Sequence, residues 1–402
     1  MRQTDVSTAE VVVIGAGVIG CSVALHLAEA GVRDVVVVER DGVAQATSSA
    51  GAGFIGEWAA GWDPRLRAEE LAIERYGLAF YAGLAEEDAS FGHRGVGNLY
   101  VAATQEGFER HCLPLMEPVP DAVRLTPAEV GRLTDGVVCA DRVAGGVLHP
   151  AGGQLSARDA AHAMARRLRD RGGRIETRLP VERIVVEAGR VRGVETTRGA
   201  IACDRVVLAA GAWANVLLRP HGVQLPYLPL VAMRIVTEPL GIPATLPTLM
   251  MHDPACYVRE EAGGLLWSAA SRRPPRRAFV DVDPPQRFDQ LPLDAFLEMR
   301  DERLGAIAEV VPALARARSA TVAFGAPTYT PDGRALIGPV PGIDGLTVVS
   351  GCNEGGVTHS PGFGKLTAEL LTGAAPSICS PQPFALDRFP DPRAATAAFA
   401  AA

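Results

Sequence analysis

The stretch that decides the fold is Val11-Val12-Val13-Ile14-Gly15-Ala16-Gly17-Val18-Ile19-Gly20. Its four leading β-branched residues are typical of a strand buried on both faces of a parallel sheet. The glycines form the pattern Gly-x-Gly-x-x-Gly: Gly15 permits a tight turn, Gly17 lets the backbone approach a pyrophosphate, and Gly20 allows close packing of helix on strand. We therefore expect a dinucleotide site at the start of a helix, whose free N–H groups attract phosphate.

The segments that follow complete a βαβ unit. A helix is expected from Val18 to Ala30, and Val35-Val36-Val37-Val38 is a second buried strand. Glu39 ends that strand, and Arg40 follows it. A carboxylate at this place can accept hydrogen bonds from both hydroxyls of an adenosine ribose and would repel a 2′-phosphate. The ligand crevice is therefore expected at the carboxyl ends of these strands.

Composition excludes several classes of protein. A net charge of −7 over 402 residues disfavours a general nucleic-acid binder, and the one basic run, at 272–277, is interrupted by prolines and is interpreted as a solvated loop. The seven cysteines form no Cys-x-x-Cys pair, so neither a disulfide framework nor a metal site is expected, and a reducing cytoplasm fits best. Glycines and His26 interrupt the apolar run at 9–30, so no membrane span is expected.

A polar segment follows the βαβ unit. Thr47-Ser48-Ser49 offers hydroxyl groups that could bind a pyrophosphate or the ribityl chain of a flavin. The same three residues are also suited to cap a helix. A flavin reductase that uses NAD would require a second glycine pattern later in the chain, and the sequence contains none.

Three later segments carry a resemblance to a known family. They are Asp204 to Trp213, which ends in Ala-Gly-Ala-Trp, then Thr330-Pro331-Asp332-Gly333 with Ile337-Gly338-Pro339, and finally Gly351 to Val357 ahead of a helix. With these markers, the chain resembles the D-amino acid oxidase-like flavoproteins, the group that contains glycine oxidases and sarcosine oxidases. The resemblance extends over about residues 9–375.

The resemblance implies a bound FAD. In the family, the loop that corresponds to 351–357 passes the isoalloxazine ring and presents backbone amides to it, which would stabilise negative charge on the reduced ring. The residues expected to contact the cofactor are Gly15, Gly17, Val18, Ile19, Gly20, Glu39, Arg40, Thr47, Ser48, Ser49, Val181, Ala210, Gly211, Trp213, Gly351, Asn353, Glu354, Gly355, Gly356 and Val357.

The resemblance also implies an α/β fold with two domains. A Rossmann-like FAD-binding domain would carry an inserted α+β domain, whose antiparallel sheet roofs the substrate pocket. The FAD-binding domain is expected at 1–90, 151–225 and 321–402, with the C-terminal helix in the last part. The substrate domain is expected at 91–150 and 226–320.

The chain departs from the family at positions that hold the cofactor and the substrate there. Gly325 stands where sarcosine oxidases carry the cysteine that links FAD covalently, so a non-covalent FAD is expected. Pro327 stands at the substrate-binding arginine of glycine oxidases, and Thr358 and Glu57 align with a lysine and an arginine of sarcosine oxidases. A carboxylate substrate would need another cation, because an unpaired buried carboxylate is costly.

Several residues are candidates for the substrate pocket. Arg234 and Arg259 could supply the missing cation, although each also suits a structural role. Glu57 raises the opposite hypothesis, in which a carboxylate holds a cationic amine. The other candidates, for which core packing is the alternative, are Tyr257, Trp267, Tyr329, Thr358 and His359. No catalytic base is assigned.

The implied reaction is hydride transfer to the flavin from the carbon that bears the nitrogen of a small amine or amino acid, followed by hydrolysis of the imine. Glycine, sarcosine, D-amino acids and related secondary amines are the candidate substrates. Oxygen or another electron acceptor would reoxidise the flavin. Assembly into a homo-oligomer is left open by the sequence. Two alternatives remain: a flavoprotein that acts on a 2-hydroxy acid, and a non-catalytic flavin-binding subunit of a larger dehydrogenase complex.

Overall fold

The structure is a computed structural model that describes residues 7–57, 67–269, 283–288 and 293–401. The basic run at 272–277 lies outside these residues. The elements are numbered in chain order. The strands are β1 Ser7–Thr8, β2 Val11–Ile14, β3 Val35–Val38, β4 Phe54–Ile55, β5 Asn98–Ala102, β6 Val123–Leu125, β7 Gly145–His149, β8 Gly153–Gln154, β9 Arg174–Glu176, β10 Val181–Glu187, β11 Arg190–Thr196, β12 Gly199–Ala202, β13 Val206–Leu208, β14 Leu228–Pro229, β15 Ala232–Thr237, β16 Thr248–His252, β17 Ala255–Glu261, β18 Gly264–Ala269, β19 Ser319–Gly325, β20 Thr328–Tyr329, β21 Leu336–Pro339 and β22 Leu346–Ser350. The α-helices are α1 Val18–Glu29, α2 Ala68–Glu87, α3 Gln105–Gly107, α4 Pro127–Leu133, α5 Ala157–Asp170, α6 Ala214–Leu218, α7 Leu293–Val310, α8 Gly356–Thr372 and α9 Pro392–Ala401.

The first sheet contains the strand of the glycine pattern. Its order is β21-β22-β13-β2-β3-β9, and its neighbouring strands run parallel except for β21 and β22. Val11 and Val13 of β2 pack on the layer formed by α1, α5 and α8, whereas Val12 and Ile14 pack on the small sheet β1-β12-β11-β10. Because both faces of β2 are covered, each of its residues is apolar.

The second sheet has the order β19-β15-β18-β17-β16-β5-β7-β6, and α7 packs against β18. The expected antiparallel sheet is present, and one pair of strands departs from the antiparallel arrangement: β5 and β16 run parallel, with Leu99 opposite Leu249. These two strands come from widely separated segments of the chain. No hairpin therefore joins them, and nothing forces them to run antiparallel.

The expected helix at 18–30 is confirmed as α1. The α/β class is also confirmed, while the domain boundaries stay a prediction. Among the helices in the described ranges, none combines the length and the apolar character that a bilayer crossing requires. Within the same ranges, His, Cys, Asp and Glu side chains form no group suited to hold a metal ion.

Candidate functional site

A cavity of about 500 Å³ lies at the carboxyl ends of β2, β3, β13 and β22, beside the N-termini of α1 and α8. The second sheet closes its other side through Ala232, Met250 and Tyr257. The volume is within the range of roughly 300–1,000 Å³ that is usual for ligand and cofactor sites. The cavity therefore lies where the glycine pattern places a ligand crevice.

Most residues expected to contact the cofactor form the wall of this cavity. They are Gly15, Gly17, Val18, Ile19, Glu39, Arg40, Thr47, Ser48, Val181, Ala210, Gly211, Trp213, Gly351, Glu354, Gly355, Gly356 and Val357. Three others support the wall from behind. Gly20 packs against the Gly15 turn, the Ser49 hydroxyl donates to a nearby carbonyl, and the Asn353 amide donates to Gly351 O at 2.6 Å.

The turn between β2 and α1 has the geometry that a dinucleotide needs. Gly15 has a φ of +105°, and a Cβ at this position would stand 2.6 Å from the carbonyl oxygen of Ala209. Only glycine is therefore accommodated here without displacement of the backbone. Ser48 Oγ accepts a hydrogen bond from the Val18 N–H at 3.0 Å, which leaves the hydroxyl proton for an anion. The helix N-terminus and this hydroxyl together suit a phosphate.

Glu39 is held in place at the end of β3. Its Oε2 accepts from the Ala16 N–H at 2.8 Å, and its Oε1 accepts from the Asp41 N–H at 2.9 Å. An ionised carboxylate has about four acceptor positions, so each oxygen can accept one more hydrogen bond. The carboxylate lies on the cavity wall and fits the expected contact with two ribose hydroxyls.

A planar wall stands beside Glu39. The Arg40 guanidinium lies 4.5 Å from the centre of the Trp213 ring, and its Nη2 donates to Gln286 O at 3.1 Å. The indole N–H of Trp213 donates to Pro284 O at 3.3 Å. The segment 283–288 thus closes this end of the cavity, which we call the ribose end.

The opposite end of the cavity, which we call the substrate end, is lined by Phe54, Met250, Tyr257 and Thr358. The rings of Phe54 and Tyr257 meet edge to face, with centroids 5.2 Å apart. Thr358 Oγ1 donates to Phe54 O at 3.1 Å, so its hydroxyl is used to hold the wall. Burial raises the pKa of the Tyr257 phenol, which keeps its proton at neutral pH.

The loop 351–357 connects the two ends and leads into α8. Its backbone is strained, because Asn353 and Glu354 have φ values of +48° and +67°. Bonds to β20 hold it: the Gly351 N–H donates to Thr328 Oγ1 at 3.0 Å, and the Asn353 N–H donates to Thr328 O at 2.9 Å. The free N–H groups at the start of α8 therefore lie at a fixed place on the wall.

Two candidate pocket residues are held by partners away from the wall. Glu57 is buried and forms an ion pair with Arg75. His359 Nε2 lies 3.1 Å from an oxygen of the buried Glu74. The hypothesis that Glu57 holds a cationic amine therefore lacks support in the structure, because that carboxylate is already neutralised and does not line the cavity.

Four other candidates also lie off the wall. Arg259 Nη1 is 2.5 Å from Glu261 Oε2, and its Nε donates to Ala52 O. Trp267 is in the hydrophobic core of the second sheet. Tyr329 lies on β20 opposite β14, and Arg234 Nη1 makes a long hydrogen bond of 3.4 Å to the carbonyl of Gly51, which does line the cavity. Of the candidates proposed for the substrate pocket, Tyr257 and Thr358 are on the wall.

Several wall residues were not predicted from the sequence, among them Phe54, Ala232, Met250 and Asp283. The first three are apolar residues in strands or next to glycines. Such residues show the same pattern whether they face a core or a cavity, so no local signal distinguishes them. Asp283 comes from the distant segment that closes the ribose end, and only the fold brings it there.

The comparisons with known proteins agree with this geometry. The family model described as "DAO: FAD dependent oxidoreductase" matches residues 10–370. The chain is 30% identical over 385 residues to the 4-methylaminobutanoate oxidase (formaldehyde-forming) of Paenarthrobacter nicotinovorans, with 92% of this chain and 44% of that protein covered. It is 29% identical over 386 residues to the glycine oxidase of Pseudomonas aeruginosa, with 93% and 98% covered.

Among solved structures, the chain is similar to the glycine oxidase from Geobacillus kaustophilus. The TM-score is 0.80 at 25% identity, and the match covers 95% of this chain and 99% of that one. The chain thus spans nearly the whole length of both glycine oxidases but less than half the length of the 4-methylaminobutanoate oxidase.

Proposed function

Since the chain belongs to the DAO family of FAD-dependent oxidoreductases, we propose that it binds FAD in this cavity and oxidises a carbon–nitrogen bond of a small amine or amino acid. The observation that carries the proposal is the cavity itself. Its ribose end has a glycine turn, a helix N-terminus and a positioned carboxylate, and its substrate end is an aromatic pocket. The relatives named as oxidases of glycine and of 4-methylaminobutanoate support a carbon–nitrogen bond as the target.

In the proposed reaction, bound FAD supplies the acceptor for the hydride that leaves the carbon next to nitrogen. The residues of the chain position the substrate and exclude water. Phe54, Met250 and Tyr257 surround the reacting carbon with apolar surface, which holds it in place. The free N–H groups at the start of α8 stabilise negative charge that develops near them. The protonated Tyr257 hydroxyl can donate a hydrogen bond at the substrate end.

We propose that FAD is held without a covalent bond. Gly325, which replaces the linking cysteine of sarcosine oxidases, lies on the cavity wall. Cys352 also lines the cavity, but burial raises the pKa of its thiol and so disfavours the reactive thiolate. Acid precipitation of the purified protein should release yellow flavin into the supernatant. Flavin that stays with the pellet would contradict non-covalent binding.

An anaerobic spectral titration tests the reaction. Purified protein loaded with FAD is mixed with glycine, sarcosine, D-amino acids, cyclic imino acids and N-methylated amines, and the flavin absorbance is recorded. We expect one class of amines to bleach the flavin, and ammonia or an alkylamine to be released. Admission of air then shows whether oxygen is the acceptor. Bleaching by 2-hydroxy acids alone would replace the proposal by its alternative, and bleaching by none of these compounds would contradict amine oxidation.

We also propose a reducing, cytoplasmic location. All seven cysteines lie within the described residues, and all seven are free thiols in the structure. Free cysteines persist where thiol reductants prevent disulfide formation. Fractionation of cells that express the tagged protein would test the location, and recovery of the protein outside the cytoplasm would contradict it.

A further inference from the structure

The cavity has an uneven distribution of charge. On its wall, within the described residues, the ionisable carboxylates and bases are Glu39, Arg40, Asp283 and Glu354. The first three belong to the ribose end, where Arg40 also bonds to Asp41 and stacks on Trp213. Glu354 belongs to the loop 351–357, four residues before Thr358 of the substrate end. The described part of the substrate end therefore presents a carboxylate and no Lys, Arg or His side chain.

Two ion pairs lie behind the substrate end, and Arg234 lies behind the wall at Gly51 without a carboxylate partner among the described residues. Glu57 pairs with Arg75, and Arg259 pairs with Glu261. These pairs leave neither a spare cation nor a spare anion to act on a ligand. Glu354 differs from them, because no described residue forms a hydrogen bond or an ion pair with its side chain.

The position of Glu354 is fixed by the backbone. Its φ of +67° is a conformation that a residue with a side chain adopts only under constraint, and the hydrogen bonds of the loop to β20 supply that constraint. Glu354 also precedes the N-terminus of α8, whose dipole stabilises a negative charge there. The carboxylate thus lies on the wall without a hydrogen-bond or ion-pair partner among the described residues. Its charge also raises the pKa of the nearby Tyr257 phenol, after the larger effect of burial.

We propose that Glu354 binds the cationic nitrogen of the substrate, and that the site therefore selects amines whose oxidised carbon carries no carboxylate. This inference rests on the proposed function. A carboxylate on the oxidised carbon would lie close to Glu354 and would find no described cation on this part of the wall, so charge repulsion disfavours it. An N-alkyl amine without a carboxylate, or with one several carbons away, meets no such repulsion.

Binding of inert ions tests this inference without turnover. Isothermal titration calorimetry of the FAD-loaded protein is carried out with tetramethylammonium chloride and with sodium acetate. The wild-type protein should bind tetramethylammonium more tightly than acetate. Glu354→Gln should weaken binding of tetramethylammonium by roughly tenfold, the effect of losing one charge-assisted contact. Glu57→Gln is the matched control, because Glu57 lies off the wall, and it should leave this binding unchanged.

The outcomes separate the two proposals. Tighter binding of acetate by the wild-type protein, or equal binding of tetramethylammonium by the wild-type protein and Glu354→Gln, overturns the cation site. The comparison of the two ions in the wild-type protein needs no variant, so it decides the matter even if Glu354→Gln retains less FAD. If tetramethylammonium binding depends on Glu354 but no amine bleaches the flavin, the cation site stands and amine oxidation fails. If amines bleach the flavin with the same affinity in the wild-type protein and in Glu354→Gln, amine oxidation stands and the cation site fails.

Discussion

Arg234 and Arg259 lie on the two strands that flank β18, yet their surroundings differ. Arg259 is buried and paired with Glu261. Arg234 has no carboxylate partner among the described residues, and its Nε is buried without a hydrogen-bond acceptor. Its long hydrogen bond to Gly51 places the guanidinium directly behind the cavity wall. We therefore predict that Arg234 is the arginine that a substrate carboxylate far from the amine would engage.

We expect Arg234→Met to raise the KM for an N-methylated amine that carries a carboxylate several carbons from the nitrogen by roughly tenfold, because one charge-assisted contact to that distal carboxylate would be lost. The KM for N-methylbutylamine, which lacks that carboxylate, should stay the same. Steady-state kinetics with the two compounds measures the difference. Equal increases for both compounds would indicate a structural role for Arg234 and contradict this assignment.

At the scale of elements, the wall depends on the close approach of α2 and α8. A Cβ at Gly77 of α2 would stand 2.1 Å from the carbonyl oxygen of Thr358, at the substrate end. Gly83, in the same helix, has open space at its Cβ position. One glycine is thus required by packing, and the other only lowers the helix propensity.

Gly77→Ala should lower the free energy of unfolding by about 1–3 kcal/mol, because the two helices must separate to accommodate the methyl group. Gly83→Ala should raise it by about 0.5–1 kcal/mol, since alanine favours the helix. Chemical denaturation of both variants gives the comparison. A stable Gly77→Ala protein with normal FAD binding would show that the two helices can shift without cost.

At the scale of the whole molecule, two buried histidines link stability to pH. Burial lowers the pKa of His26 and of His149 below the ordinary value of 6.5. Both are therefore neutral in the folded protein, whereas both bind protons normally in the unfolded chain. The unfolded state thus takes up more protons as the pH falls through 6.5, and this uptake favours unfolding.

We expect the free energy of unfolding to decrease as the pH is lowered from about 7 to about 5.5. His26→Gln should show a smaller slope over the same interval, whatever its absolute stability, because one of the histidines with a lowered pKa is removed. Denaturant titrations at several pH values measure both slopes. A free energy of unfolding that does not change between these pH values in the wild-type protein would contradict the assignment of neutral buried histidines.

The cavity also joins the two sheets, so FAD bound there should stabilise the entire fold. At a free FAD concentration about 100 times its Kd, the expected gain is about 2.7 kcal/mol, seen as a higher melting temperature of the apoprotein. Gly15→Ala should abolish the increase, because its methyl group would clash with Ala209 O. If FAD raised the melting temperature of Gly15→Ala as much as that of the wild-type protein, FAD would have to bind outside this cavity.

Much of this organisation could be predicted from the sequence. The βαβ unit, the position of Glu39 and the loop 351–357 were assigned to their elements, and the family resemblance is confirmed by the match over residues 10–370. These features are encoded locally: β-branched runs, glycines at fixed spacing and a polar residue at a strand end. The parallel pairing of β5 and β16 was not predictable in this way, because it depends on two distant segments meeting.

The sequence by itself determined the fold class and the glycine turn between β2 and α1. Only the tertiary structure decided which charges remain free to act. Glu57 is neutralised by Arg75 and Arg259 by Glu261, while Glu354, on the wall, has no ion-pair partner among the described residues. The physical reason is that secondary structure follows from short-range steric and hydrophobic patterns, whereas the effect of a charge depends on its burial and on partners that folding brings within a few ångströms.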